Sequence, residues 1–474
     1  MAVSPSAAGE RAPLEAERLR GVLDAPGGPL RASLALASRL SLVAELEGGA
    51  ELADGTELAG LSVELAGGPV RLGPARFAAA GRSGRGRLVF TEHLYDCRAL
   101  VQEGRVADLR GYFENVPVVL AQKAHIRQEF RAHVADLSYD LAVYKRFFDE
   151  QDRILATEPH DVAAAAREAL VRSEGRRFLG FLDAKVAELE RLVSGYTKEE
   201  HERHGFFFRR QLWPYLLASE FLKRTNLKPS GYAGDADLMV MIYENDYLGP
   251  SLFARLMHKH PLETRAAEAV RSRRRLVPRL MREALGRFPA LTGHGFRVLS
   301  LACGPALELE DVLVRPEDAA RIDVTLLDQD PHALELARGA VRRIEARLGA
   351  GLSARYLEDS VRTMLRTRDL RGRLGEMHFV YSMGLFDYLT GPVARAVLAK
   401  TFEVLAPGGT LVIGNSPVAS PTRIHMDYWA DWPLVYRTEE SFLGLAEGLP
   451  GVPSLEFDET RCQMFLRLDR PPER

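Results

Sequence analysis

Cysteine is scarce in this chain: three residues in 474, Cys97, Cys303 and Cys462. The count is odd and no two stand in a CxxC pair. That argues against a disulfide framework and a cysteine zinc site, and predicts a reducing, cytoplasmic location. Long apolar runs are missing too, so no segment is expected to span a bilayer. The opening "MAVSPSAAGERAPLEAERLR" lacks the apolar stretch that a signal peptide needs. Excess charge of either sign is also absent. Lys and Arg number 63 against 65 Asp and Glu, a formal net charge of −2. No global positive field is therefore available to attract nucleic acid. The one basic run, "RSRRRLVPRLMREALGR" over 271–287, interleaves its arginines with apolar residues and reads as a charged helix face.

What is present is enough for several cores. A chain of 474 residues, 46% hydrophobic and 27% charged, predicts two or three folded domains. Residues 1–25 read as a flexible tail. Residues 26–108 hold short, partly alternating segments split by Gly-Gly and Gly-Pro, the pattern of a small antiparallel β domain. From 109 to 225 apolar residues recur three and four apart, which predicts a helical bundle or connector. Residues 226–289 read as a lid segment followed by lead-in helices. From 290 to 474 strands alternate with helices: "FRVLSLA", "RIDVTLLD", "LSARYLE", "EMHFVYSM" and "GTLVIGNS" each precede or follow a helical stretch. The expected fold there is an α/β, doubly wound, Rossmann-like sheet. "SLEFDETRCQMFLRLDRP" supplies two extended runs that predict an antiparallel hairpin at its end.

The candidate binding turn is "ACGPAL", after the first of these strands. Gly304 permits close ligand approach or a positive φ, and Pro305 suits a first helical position. A dinucleotide-binding GxGxxG would place glycines where Ala302, Gly304 and Leu307 stand, so the pattern is broken twice. An NAD-dependent oxidoreductase on the same fold is thereby disfavoured and stays as an alternative. Asp328 ends the second strand, where a carboxylate can accept from both hydroxyls of a ribose. Asp330, just before Pro331, fits a helix N-cap. Asp359 and Ser360 close the third strand, facing the same crevice or capping the next helix.

The segments "VLSLACGPALE", "LLDQDPHALELA", "LEDS", "FVYSMGLFDYL" and "LAPGGTLVIGN" resemble motifs of class I S-adenosyl-L-methionine-dependent methyltransferases. A closer resemblance adds "KPSGYAGDADLMVMIYENDYLGPSLFARLMHKH" and "AAEAVRSRR", and covers most of the chain. It is to bacterial biosynthetic enzymes for the extracellular factor 3-hydroxypalmitic acid methyl ester, which carry a PilZ-like β domain ahead of a methyltransferase. The resemblance implies S-adenosyl-L-methionine as cofactor and a fatty or 3-hydroxy fatty acid as small-molecule acceptor, its carboxylate becoming a methyl ester. It implies Gly304 and Pro305 at the methionine end, Asp328 on the ribose, and Gln329 beside the adenine. Asp359 and Ser360 would meet the adenine edge, and Ser382 would lie below the methyl group. Ser300 stands where many members have an acid, and Ala302 and Ala306 stand where they have glycines. Asp235 of "GYAGD" is the candidate replacement for the acid, with Gly231 and Tyr232 on a lid.

The aromatic insertion after the fifth strand offers His425, Tyr428 and Arg437 as acceptor-orienting groups. Its aromatics suit the packing of an amphipathic helix equally well. The β domain resembles PilZ modules but lacks both the RxxxR and the (D/N)xSxxG segments, so cyclic diguanylate is not an expected ligand. Docking or homodimerisation is the expected role. A non-catalytic, ligand-binding signalling protein is the second alternative.

Overall fold

The computed structural model describes residues 18–38, 40–65, 68–80, 83–92, 95–97, 100–101, 123–288 and 295–473. The chain divides into two compact units, Met1–His125 and Ile126–Arg474. Among the described residues no helix is long and apolar enough to cross a membrane.

The first unit is an antiparallel sheet of eight strands. They are β1 (Leu19–Ala25), β2 (Gly28–Ser38), β3 (Ser41–Leu46), β4 (Thr56–Leu58), β5 (Leu61–Leu65), β6 (Gly68–Leu72), β7 (Ala75–Ala79) and β8 (Arg85–Phe90). Their order is β4-β7-β8-β3-β2-β1-β5-β6. Leu23, Leu34, Leu42, Leu61 and Leu88 alternate inward and are fully buried. The tail expected over 1–25 is corrected in its last part. Residues 1–17 lie outside the described residues, but 19–25 is strand β1, with Leu23 paired to Leu30 and to Leu61. The Ala-, Glu- and Arg-rich composition hides a short alternation that the sheet uses.

The second unit begins with helices α1 (Gln128–Leu155), α2 (His160–Leu170), α3 (Arg176–Val193), α4 (Lys198–Leu216), α5 (Glu220–Leu227), α6 (Ala236–Glu244), α7 (Leu252–Leu262) and α8 (Arg265–Gly286). A seven-stranded mixed sheet follows: β9 (Phe296–Leu301), β10 (Ile322–Asp328), β11 (Ser353–Glu358), β12 (Met377–Ser382), β13 (Leu405–Asn415), β14 (Ser454–Phe457) and β15 (Met464–Asp469). Its order is β11-β10-β9-β12-β13-β15-β14. β9 to β13 run parallel, and β15 lies antiparallel between β13 and β14, as the hairpin pattern predicts.

The central strands are apolar on both sides, which is why they read as continuous hydrophobic runs. Val298, Phe379 and Val412 face one buried cluster, while Leu299, Val380 and Leu411 face another. Helices 128–262 share a third cluster with Tyr428, Trp429 and Trp432 from the far end of the chain. The segments 109–225, 226–289 and 290–474, expected as successive domains, therefore belong to one compact unit from Ile126 onward. Residues 102–122 lie outside the described residues.

Candidate functional site

Strand order reverses where β9 neighbours both β10 and β12, and the chain opens a crevice at the carboxyl ends of these strands. A cavity of about 520 Å³ lies there, within the size range of small-molecule sites. The turn after β9 shapes its floor. Ala302, Gly304 and Ala306 all take left-handed backbone, with φ of 52, 54 and 50°. A Cβ at Gly304 would meet no atom within 4 Å, so the backbone there is open to the cavity. Cys303 N–H donates to Leu327 O at 3.1 Å, tying this turn to the end of β10.

Asp328 is the hub of that connection. Its Oδ2 accepts from Gly304 N–H at 2.9 Å and its Oδ1 from Asp330 N–H at 3.0 Å. It is buried, and burial raises its carboxyl above the usual range despite these donors. The lone pairs these backbone donors leave free can receive hydroxyl donors. Asp330 caps the helix Pro331–Leu348 through His332 N–H, as its position before proline predicts.

Ser300, Ala302, Gly304, Pro305, Asp328, Gln329, Asp359, Gly231 and Tyr232 all line the cavity. Asp359 also pairs with Arg373 at 2.5 Å and accepts from Ser360 N–H. Three expected cofactor residues do not line it. Ser360 caps the helix Val361–Arg366 through Thr363 N–H. Ser382 is buried and donates to Leu301 O at 2.8 Å, holding β12 to β9. Asp235 is spent: Arg224 Nε lies 2.8 and 2.7 Å from its two oxygens, and it caps α6 through Leu238 N–H. Neutralised and fully hydrogen-bonded, it cannot replace the missing acid.

A further carboxyl group, not assigned from the sequence, does line the cavity: the buried Glu308. Pro305 does not open a helix as expected, because Ala306 takes left-handed backbone and the short helix Leu309–Val312 starts only after Glu308. Tyr381 Oη donates to Glu308 Oε1 at 2.7 Å. Burial raises the Glu308 carboxyl pKa, and a cation seated beside it would favour the ionised form again.

Arg273 is the second residue missed. The run 271–275 does form a helix face, as expected, and its neighbours are paired: Arg271 and Arg275 with Glu268, Arg274 with Glu310 and Asp311. Arg273 instead turns inward to the cavity, donating to Met383 O at 3.1 Å and approaching Met239 Sδ at 3.0 Å. Among the described residues no carboxylate forms an ion pair with it.

The three acceptor candidates separate. His425 is buried and lines a smaller chamber beside the main cavity. Tyr428 is fully buried among the helices, its Oη 3.0 Å from His201 Nδ1, and lines neither space. Arg437 is buried too, donating to Phe386 O at 2.7 Å, Leu389 O at 2.5 Å and Asn415 Oδ1. It clamps the loop after β12. The aromatic insertion is chiefly packing: a π-helical turn, His425–Trp429, drives Tyr428 and Trp429 into the helical core.

The arrangement suits a ligand with a ribose-like diol and a cationic group, in a cavity lined by the buried carboxyl groups Asp328 and Glu308 and by the Arg273 guanidinium. Among the described residues no group of three or more His, Cys, Asp or Glu could hold a metal ion.

No family model matches the chain, and no curated protein does. Solved structures do. A possible exported protein from Bordetella parapertussis is 19% identical, over 66% of this chain and 99% of that one, with a TM-score of 0.41. Magnesium protoporphyrin IX methyltransferase from Synechocystis PCC 6803, with bound SAM, is 10% identical over 43% of this chain and 83% of that one, TM-score 0.31. The N-methyltransferase NodS from Bradyrhizobium japonicum WM9 is 17% identical over 42% and 96%, TM-score 0.29. At these scores likeness alone assigns nothing, and the functional reading rests on the cavity.

Proposed function

We propose that the chain is an S-adenosyl-L-methionine-dependent methyltransferase that esterifies a carboxylate. One observation carries the reading: a single cavity at the switch point brings together Asp328, Glu308 and the open turn at Gly304. Asp328 would hold the ribose diol, and Glu308 the ammonium of the methionine end. Gln329 and Asp359 would flank the base. The cofactor supplies a methyl group on a positively charged sulfur. The chain's residues bind, orient and keep water out.

The carboxylate reading rests on Arg273. An acid is ionised at neutral pH and needs no base to remove a proton, only a donor to aim it. Arg273 has donor capacity left and lines both the main cavity and the smaller chamber. A fatty or 3-hydroxy fatty acid meets this requirement at its head group, though its tail must also find room. The β-sheet unit we assign to docking or self-association in the manner of PilZ modules.

Calorimetric titration with S-adenosyl-L-methionine, its demethylated product and NAD tests the reading. The first two should bind and NAD should not. Asp328→Ala should weaken cofactor binding roughly ten- to a hundredfold, the value of a hydrogen bond to a charged group. Tight NAD binding, or an Asp328→Ala variant that binds like the wild type, would overturn it.

A further inference from the structure

Gly234, Met239, Arg273, Gly384 and Tyr388 line both the main cavity and a side chamber of about 90 Å³. The chamber wall is mostly apolar, built from residues such as Phe221, Ile242, Val270 and Trp432. Polar side chains interrupt it, among them Asp387, Thr422, His425, Tyr436 and Gln463, and two of these are nearly fully buried with an unpartnered atom. His425 is 3% exposed, and neither ring nitrogen has a hydrogen-bond partner. Gln463 is 5% exposed, and its Oε1 is also unpartnered. An unsatisfied buried polar group costs on the order of 1–3 kcal/mol. Two of them on the wall of one chamber mark a place where a ligand's own polar group belongs, with water able to serve them between ligands.

We propose that this chamber seats the body of the methyl acceptor, and that the acceptor is a compact carboxylic acid with a second hydrogen-bonding group, not a long-chain acid. The inference rests on the methyltransferase reading and narrows its substrate. An apolar cavity of roughly 150 Å³ accommodates one benzene. This chamber is smaller, so it holds a body of no more than about four non-hydrogen atoms, and a long acyl chain would overrun it. Arg273, on the shared wall, holds the carboxylate at the junction. There one carboxylate oxygen uses a lone pair to form the new O–CH3 bond. The S–CH3 bond breaks with its electron pair going to sulfur, which leaves as a neutral thioether, and no proton is released. Burial keeps His425 neutral. It therefore offers one N–H and one bare nitrogen, and a hydroxyl beside either finds a partner because it can both accept and donate.

The test uses the full chain with methyl-labelled S-adenosyl-L-methionine and two sets of acids. One set is compact: 3-hydroxybutyrate and 3-hydroxypropionate. The other is long: palmitate and 3-hydroxypalmitate. Label should appear in methyl esters of compact acids and not of long ones. His425→Phe and Gln463→Leu should each raise the KM for the compact acid about tenfold or more, with the affinity for S-adenosylhomocysteine unchanged. That affinity also reports that each variant is folded, and either variant alone suffices. Label on long acids only, none on any compact acid while the cofactor binds, or wild-type KM in the folded variants would each overturn the chamber assignment and leave the methyltransferase reading standing. Failure of the wild type to bind the cofactor would instead overturn that reading, and the chamber assignment with it.

Discussion

Two alanines carry conformational strain that glycine would not. Ala302 and Ala306 sit at φ of 52 and 50°, where an L side chain costs roughly 1–2 kcal/mol. Replacing Ala302 by Gly relieves that strain but adds about 0.4–1 kcal/mol of unfolded-state entropy. The net gain should be about 0.5–1 kcal/mol, read as a higher urea midpoint at unchanged slope. Ala306 is fully buried, and losing its methyl forfeits about 0.8 kcal/mol of burial, so Ala306→Gly should be close to neutral. A destabilised Ala302→Gly would refute the strain argument. His425 gives a pH dependence at the same scale. Burial pushes its pKa down to about 3 from 6.5, and the ring of His260 lies 5.5 Å away. Between these values the unfolded chain binds the extra proton. The stability His425 contributes is thus whole above about pH 6.5 and falls as pH drops toward 3, by on the order of 1 kcal/mol per unit. His258, pushed down to about 4 by burial, adds a slope of the same sign. Urea midpoints at pH 7 and pH 5 should therefore converge in His425→Phe relative to wild type. An unaltered difference would mean that His425 is charged or solvated in the folded chain.

At the scale of elements, the segment 230–235 is held, not loose. Tyr388 Oη donates to Ala233 O at 3.0 Å and accepts from Trp432 Nε1 at 2.7 Å. Asp235 anchors the end of the segment to Arg224. Gly234 has φ of 82°, and a Cβ there would lie 2.4 Å from both Trp432 Cζ2 and Tyr388 Oη. Gly234→Ala combines left-handed strain with overpacking, so the expected loss is about 3 kcal/mol. A thermal melt should show it, and a melt shifted by less than a degree would mean the segment gives way freely. The same contacts show what sequence could and could not reveal. Strands β9, β10, β12 and β13 were legible because burial on both faces leaves apolar runs. Asp328 and Gly304 were legible because strand ends and a tight turn fix their position locally. Glu308 and Arg273 were not assigned, because packing of α8 over the sheet brings the guanidinium inward and the buried Tyr381 gives the carboxylate its setting. Tyr428 and Arg437 were misread for a related reason. Aromatic richness suits a pocket wall and a core plug equally, and only the fold shows which carbonyls satisfy an arginine.

For the whole molecule, the hydrophobic clusters divide cleanly along the chain. The buried cluster of the β-sheet unit draws its residues from Leu23 to Val101, and the other three draw theirs from Ile126 onward. Every residue lining the main cavity or the side chamber lies after position 220. Cofactor affinity should therefore not depend on the first unit. A chain beginning at Ile126 should fold and bind S-adenosyl-L-methionine with the dissociation constant of the full chain, and the full chain should melt in two steps, one of them absent after truncation. The helices 128–262 cannot be removed in the same way. They share a cluster with Tyr428 and Trp429, so cutting at position 290, where the α/β pattern begins in sequence, should expose the face of this insertion and give an insoluble product. If the chain from 290 onward folded and bound cofactor alone, the helical layer would be an accessory. If it did not while the chain from 126 did, the catalytic unit would be the helices and the sheet together, because the side chamber takes its walls from both.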